Sequence, residues 1–381
     1  MKPRREQAPT PTPACRNEPL RFRSVLKNES RGLLVARIGS GLVALTLLFL
    51  TFRRVDFSRV SENMAKVGLL GFALIATPQL LSLFIECIGW SKVFEQLGHR
   101  VSRRSLLRVR LATEALAQTL PLGVVWAESL KPLLLGRHTG VPGSDSVASI
   151  VARKYLLMAS QAVYVAVLAT CGFGTLRELS LHFFHHGEVA FGAFGVSALL
   201  CLLAFGVAGV FTRGRIADRV LGALRALPIA RLRKALSRRQ AAFAHTDDLT
   251  ARYFTASFFR TTLRPGVFFL CAWLCESLES FLILKLLGVE LGFFTIAAVE
   301  VMLSFLRNVL FVLPSGIGVQ DVGYVSCLAA LGVPDALNIG AAFSVLKRGK
   351  EMFWALVGYS LLAAETRPAV RPTPRLGVGP A

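Results

Sequence analysis

The chain predicts an all-α, polytopic membrane protein, and three features carry that reading. Several apolar runs have span length, the polar segments between them are mostly basic, and two matched Pro/Gly breaks each carry an acid. About 20 apolar residues reach across ~30 Å of hydrocarbon. With 53% hydrophobic residues, 18% charged residues and a mean hydropathy of +0.54, such runs dominate the chain. The short alternating strands of a membrane barrel are not part of the pattern. About six full spans are expected, with two re-entrant helical hairpins forming an inverted repeat.

The formal net charge is +21, from 44 Lys and Arg against 23 Asp and Glu. In a soluble protein this would suggest nucleic-acid binding. Here the arginines gather between apolar runs, the pattern that holds loops in the cytoplasm, and no nucleic-acid partner is expected. Juxtamembrane basic segments also attract anionic lipid. The seven cysteines form no Cys-x-x-Cys pair, and Cys271 and Cys275 lie one turn apart in an apolar run. They read as small buried hydrophobes rather than a disulfide or metal site.

Taken in order, residues 1–31 are rich in Pro and Arg and cannot build a core, so they read as a disordered cytoplasmic tail. Residues 32–52 form a first span and residues 67–90 a second, with Glu86 near its end. The strongly basic segment 92–110 follows and reads as cytoplasmic. Residues 105–137 are apolar but broken at Pro121 and Gly123, and neither half alone has span length. Helices break inside a bilayer only where protein or a water-filled cavity satisfies the freed backbone, so a re-entrant hairpin is expected. A span over 155–171 follows, then an external loop over 172–188. The three histidines of that loop, His182, His185 and His186, read as solvated rather than metal-binding. Residues 189–211 form the next span.

The largest polar insert is 212–264. Its charge pattern fits two readings equally, a basic amphipathic helix on the cytoplasmic leaflet or a solvated basic loop. A span over 266–287, a short turn and an apolar run over 293–312 lead to the second break, marked by Pro314, Gly316 and Gly318. A last long run ends at 364, and residues 365–381 form a basic cytoplasmic tail. Residues 32–364 are thus taken as one membrane domain.

The two breaks belong to an internal repeat. Pro121 matches Pro314, Gly123 matches Gly316 and Glu128 matches Asp321, all at an offset of 193 residues (314 − 121). Gly140-Val-Pro142 matches Gly332-Val-Pro334, and the basic pair Arg153-Lys154 matches Lys347-Arg348, each within one residue of that offset. The repeat halves span about 105–172 and 293–364. Three spans separate the hairpins, and an odd number reverses orientation. The first hairpin is therefore expected to enter from the cytoplasm and the second from outside, which places a shared site near the midplane.

Charges inside apolar runs cost about 2.5–3.5 kcal/mol each on insertion scales and are functional candidates by default. Glu86 and Lys350 read as the charges most able to snorkel from span ends. Glu114 and Arg307 are equivalent in the repeat and opposite in charge, which allows a pair across the two-fold axis. A local Glu300–Arg307 pair, seven residues apart, is slightly favoured. The basic pairs suit a phosphate headgroup, Arg as a planar fork and Lys as a mobile point charge. A purely structural ion-pair network carries the same signature. Gly316-Ile-Gly318 has no strand context and is not a nucleotide loop. No catalytic triad order or metal-ligand pairing is apparent, so no enzyme, cofactor or metal is expected.

The run Leu313-Pro-Ser-Gly316, Gly318-Val-Gln-Asp321, Gly323-Tyr324, with Glu300, Arg307 and Lys347-Arg348, resembles the membrane region of lysylphosphatidylglycerol synthetases and their stand-alone flippase-like relatives. Leu120-Pro-Leu-Gly123, Glu128 and Arg153 resemble the family's earlier motif. The Val-Gln-Asp-Val-Gly-Tyr run is most similar to the hopanoid-associated branch, although Asp321 stands where that branch usually has Glu. The likeness implies a bacterial inner-membrane protein with cytoplasmic termini that moves a polar lipid, anionic phospholipid or hopanoid, between leaflets. Glu128, Arg153, Lys154, Arg307, Gln320, Asp321, Lys347 and Arg348 are the candidate substrate-binding residues. The alternative is a non-transporting scaffold that docks lipid- or envelope-biosynthesis enzymes through the basic insert.

Overall fold

The computed structural model describes residues 55–120, 123–213, 240–309 and 318–366, with isolated positions at 46, 49, 53 and 222. The N-terminal tail, the expected first span, Pro121, Pro314, Gly316, residues 214–239 of the basic insert and residues 367–381 lie outside this description, as does the side chain of Arg307. The described residues form eleven α-helices and no strand. In chain order they are α1 (Phe57–Gln96), α2 (Arg103–Thr119), α3 (Gly123–Thr139), α4 (Gly143–Cys171), α5 (Phe173–Phe184) and α6 (Gly192–Arg213). Then come α7 (Gln240–Thr255), α8 (Arg264–Leu286), α9 (Phe293–Val309), α10 (Val319–Ala330) and α11 (Ala336–Thr366).

Four helical stretches are long and apolar enough to cross a membrane: Phe57–Gln96, Gly143–Cys171, Gly187–Thr212 and Phe259–Leu286. At 31 residues α11 also has the length. Lys347, Arg348, Lys350 and Glu351 lower its apolar character, and they sit at its packed face rather than in lipid. By contrast α2 and α3 have 17 residues each. At ~1.5 Å per residue that is about 25 Å, short of a ~30 Å core. Large apolar side chains such as Leu69 and Leu70 on α1, Leu202 and Phe205 on α6, and Leu356 on α11 point outward as a lipid-facing surface.

The repeat is larger than the sequence motifs alone indicate. Helices α4 and α11 begin at Gly143 and Ala336, again 193 apart (336 − 143). At the same offset the second part of α1 corresponds to α8. These two equivalents pack against each other in opposite directions. Along α1, Gly71 lies against Leu286, the Ser82 hydroxyl donates to the Ala272 carbonyl at 3.0 Å, and Gly89 lies against Phe268 and Phe269. A Cβ at Gly89 would come within 2.9 Å of the Phe269 ring, so only glycine permits this approach. Partner numbers fall as α1 numbers rise, so the equivalent helices are antiparallel, as an inverted repeat requires.

The other contacts obey the same relation. Gly358 of α11 sits against Leu111 and Ala115 of α2, and Gly172, just after α4, sits against Phe294 and Ala298 of α9. Each half therefore holds a long helix, a broken hairpin and a second long helix: α1 to α4, and α8 to α11. Two buried apolar clusters each draw mainly on one half and take in a helix of the other, Ile75 of α1 in the first and Phe269 of α8 in the second. One gathers Ile75, Ile283, Leu303, Tyr324 and Phe343. The other gathers Trp90, Phe94, Leu106, Leu134 and Tyr155.

Two expectations are corrected between the halves. The segment after α4 is not a loop: Phe173–Phe184 is helical because Leu176, Leu179 and Ser180 share one buried face at helical spacing. The described end of the insert is a helix packed on the protein by one face, not a free loop, while residues 214–239, which carry the leucine and arginine pattern of the leaflet-helix reading, lie outside the description. Helix α7 buries Thr246, Asp247, Thr250 and Tyr253, and the Tyr253 hydroxyl donates to the Thr261 carbonyl at 2.5 Å.

Candidate functional site

Two buried polar clusters occupy equivalent places in the halves. In the first, Glu86 of α1 accepts from Arg153 of α4 and from Arg110 Nε of α2, the latter at 2.9 Å. Arg153 is 1% exposed and its guanidinium stacks 5.2 Å above the Trp90 ring. The Trp90 indole N–H in turn donates to Ser149 Oγ at 3.3 Å. Glu128 of α3 pairs with Lys131 at 2.8 Å and with Lys154 at 2.7 Å, and Arg153 Nη1 stands 3.8 Å away. Arg110 also pairs with Glu114 one turn further along α2.

In the second cluster, Glu300 of α9 accepts from the hydroxyls of Ser280 and Tyr324 and from Lys347 Nζ at 3.0 Å. Lys347 also lies over the Tyr324 and Phe343 rings, at 5.2 and 5.5 Å. Asp321 of α10 pairs with Arg348 Nη2 at 3.3 Å, and Arg348 Nη1 reaches Glu351 at 2.7 Å. Glu279 of α8 pairs with Lys350 at 2.6 Å.

Local sequence explains these positions. Gly318 has φ 86°, open to glycine at little cost, and it immediately precedes α10. Its N–H donates to Asp321 Oδ2 at 2.8 Å, the reach-back of an acid three residues into a helix. The shorter Asp in place of Glu suits that reach. Helix α3 starts at Gly123, so Glu128 lies in its second turn, beyond capping distance, and its Oε1 meets both lysines instead, while Oε2 has no hydrogen-bond partner among the described residues.

Of the candidate residues, the structure brings Glu128, Arg153 and Lys154 together in one half, and Asp321 with Arg348 in the other. Lys347 points to Glu300 rather than to Asp321. Gln320 is buried, and its Nε2 has no hydrogen-bond partner among the described residues. Arg307 lies on α9, with its side chain outside the description, and so does the Glu300–Arg307 pair. Glu114 is held on its own helix by Arg110 and by Gln118 at 3.3 Å, and the Glu114–Arg307 pair across the axis lies outside the described residues. Gly123 and Gly318 bound the two breaks, while Pro121, Pro314 and Gly316 are not described.

Glu86 and Lys350 do not snorkel. Each is 4% exposed and holds a buried ion pair, because each faces the packed side of its helix. One signal pointed to Glu86: it stands 193 residues before Glu279 (279 − 86), the same offset as the rest of the repeat. Arg110 was hidden at the end of a basic segment that reads as topology alone, and Glu114 one turn on was its only marker.

Each basic pair is split by depth. Arg153 and Lys347 are 1% and 6% exposed. Their chain neighbours sit higher, with side chains 41% exposed at Lys154 and 21% at Arg348, and each neighbour holds the hairpin acid of its half. The deep member of each pair fixes an acid on a neighbouring helix. The shallow member forms an ion pair that another anion can exchange into.

Among the described residues, no group of three or more His, Cys, Asp or Glu is placed to hold a metal ion. No curated protein and no solved structure matches the chain. The family described as "Lysylphosphatidylglycerol synthase TM region" matches residues 35–352, most of the sequence and the duplicated unit as far as the middle of α11. The chain, a helical membrane protein, therefore belongs to the lysylphosphatidylglycerol synthase transmembrane-region family.

Proposed function

We propose that the protein moves a lipid with an anionic headgroup between the leaflets of a bacterial inner membrane, with both termini cytoplasmic and without catalysing a chemical reaction. The observation that carries this reading is the duplicated split pair. In both halves a hairpin acid is held by a basic side chain that remains partly open, beside a deeper one locked into the core.

A phosphate presents several acceptor oxygens and competes for a guanidinium or ammonium on equal terms with a carboxylate. Entry of a headgroup exchanges one anion for another, so the basic group never stands in the low-dielectric interior without a partner. This matters because an isolated buried charge costs several kcal/mol or more. The released hairpin acid is then free to move with its broken helix. In an inverted repeat, movement of one half against the other exposes the site to each side in turn.

The test uses the full chain in vesicles containing phosphatidylglycerol and a trace of headgroup-intact fluorescent phosphatidylglycerol, with leaflet exchange read by a membrane-impermeant quencher. Lys154→Ala and Arg348→Ala should each slow exchange at least about tenfold, in line with the loss of one charge-assisted contact. Arg104→Ala, at the start of α2, should not. Exchange at the wild-type rate in both Lys154→Ala and Arg348→Ala would rule out the assignment.

A further inference from the structure

A cavity of about 380 Å³ lies between α4, α5, α6, α9 and α10, away from the ion pairs. Its walls are mostly hydrocarbon, supplied by side chains such as Phe183, Phe184, Leu200, Met302, Leu303 and Cys327. Three polar side chains interrupt that lining, and one of them, Ser180, already donates its hydroxyl to the His186 carbonyl. Gln161 of α4 is 8% exposed, and its amide makes no hydrogen bond among the described residues. Ser326 of α10 faces the same space with a free hydroxyl. A buried amide without a partner is costly, whereas an apolar cavity of this size stays dry when nothing fills it. The combination marks a site for a ligand that is hydrocarbon along its length and carries one hydrogen-bonding oxygen.

The position on α10 adds to this. Successive helical residues turn by about 100°. Gly323, Ser326 and Cys327 therefore share one side of α10 and line the cavity, while Asp321 and Tyr324 occupy the other side and join the ion pairs. The absence of a Cβ at Gly323 lets the Leu303 side chain pack directly on this face of α10. One short helix separates a hydrocarbon compartment from a charged one. Helix α5, which builds one wall of that compartment, lies outside the duplicated unit.

We infer that this cavity binds one fatty-acyl chain of a membrane lipid, with its ester carbonyl accepting from the Gln161 amide and the chain lying against α5 and α6. The ester follows from the donor available: an amide N–H and a serine hydroxyl match a carbonyl oxygen, and the remaining walls offer nothing to a second polar group. The inference rests on the lipid-handling reading for its choice of a membrane lipid, and on the cavity alone for its chemistry.

The experiment places the full chain in nanodiscs with phosphatidylglycerol carrying a photoactivatable diazirine on one acyl chain, and maps the cross-links by peptide mass spectrometry. Cross-links should concentrate at Met302, Leu303 and Cys327 and be displaced by unlabelled phosphatidylglycerol. Those on the outward Leu202 and Phe205 should not saturate. Ala193→Trp, which fills the cavity, should remove the saturable cross-links and leave the outward ones. Gln161→Leu preserves bulk and should weaken them about fivefold, as expected for one lost hydrogen bond. Should Ala193→Trp fail to fold, Gln161→Leu decides alone. Cross-links at wild-type level in Gln161→Leu, or cavity positions labelled no more than outward ones, would overturn the inference. The headgroup reading fails separately: it is lost if Lys154→Ala and Arg348→Ala both leave lipid exchange intact, whatever happens at the cavity.

Discussion

The two halves share a scaffold and differ in how they hold charge. In the first, the acid on the leading helix, Glu86, is gripped by two arginines, and the hairpin acid Glu128 lies among Lys131, Lys154 and Arg153. In the second, the equivalent acid Glu279 has one lysine, and the equivalent of Arg153, Lys347, turns to Glu300 and its two hydroxyl partners. The first half is a guanidinium-rich site with cations in slight excess. The second replaces part of that charge with neutral donors. A duplicated fold thus keeps the position of its ions while changing what stabilises them, and among the described residues the first cluster sets four cations, Arg110, Lys131, Arg153 and Lys154, against three acids, Glu86, Glu114 and Glu128.

The sharpest way to break this comparison is to remove the deep cation from each half. Arg153→Ala takes one of two partners from a buried carboxylate and empties the face of Trp90, for an expected loss of ~3–5 kcal/mol. Lys347→Ala leaves Glu300 with at least the Ser280 and Tyr324 hydroxyls, so the loss should be no more than ~1–3 kcal/mol. Thermal unfolding of the two variants in the same detergent measures the difference. Equal losses would mean that the hydroxyls contribute little and that the halves are energetically alike.

A second contrast lies at Lys131 and Tyr324, which the 193-residue offset makes equivalent (324 − 131). Tyr324→Phe removes a donor from buried Glu300 and should destabilise by ~1–3 kcal/mol. Lys131 is 1% exposed and shares Glu128 with two other cations. Glu128 keeps Lys154 and Arg153 when Lys131 is replaced, and the cost of burying the Lys131 ammonium beside other cations is removed, so Lys131→Met should leave the unfolding temperature unchanged or raise it. The same pair of unfolding measurements reads both, and destabilisation of similar size in the two variants would erase the asymmetry.

These contrasts also show what the sequence made legible. Pro, Gly and paired charges at one offset exposed the repeat, because breaks and buried ions are scarce in apolar helices and their order survives duplication. Glu86 was read as a span-end charge, because hydropathy along one helix cannot say which face packs. Only the partner helices α2 and α4 reveal that Glu86 points inward. Helix α5 was read as a loop for a related reason, since its polar residues masked a buried stripe of Leu176, Leu179 and Ser180. The partners of Lys347 were likewise out of reach. Its neighbour Arg348 does meet the hairpin acid, and nothing in the spacing says that the two members of a basic pair diverge.

The smallest effect tests where the halves should agree. Gly140 and Gly332 close α3 and α10 with φ of 69° and 71°, and each precedes a Val-Pro step into the next long helix. Their amides donate to the carbonyls of Gly136 and Ala329, both at 3.1 Å. A Cβ at either position would meet nothing within 4 Å. The cost of alanine there is therefore set by the backbone alone, about 1–2 kcal/mol for an L-residue forced into the left-handed region. Gly140→Ala and Gly332→Ala should lower the unfolding temperature by the same amount, because no neighbour distinguishes them. A clear difference between the two would place the asymmetry of the halves in their backbone, where helices and turns repeat, rather than in the ions they carry.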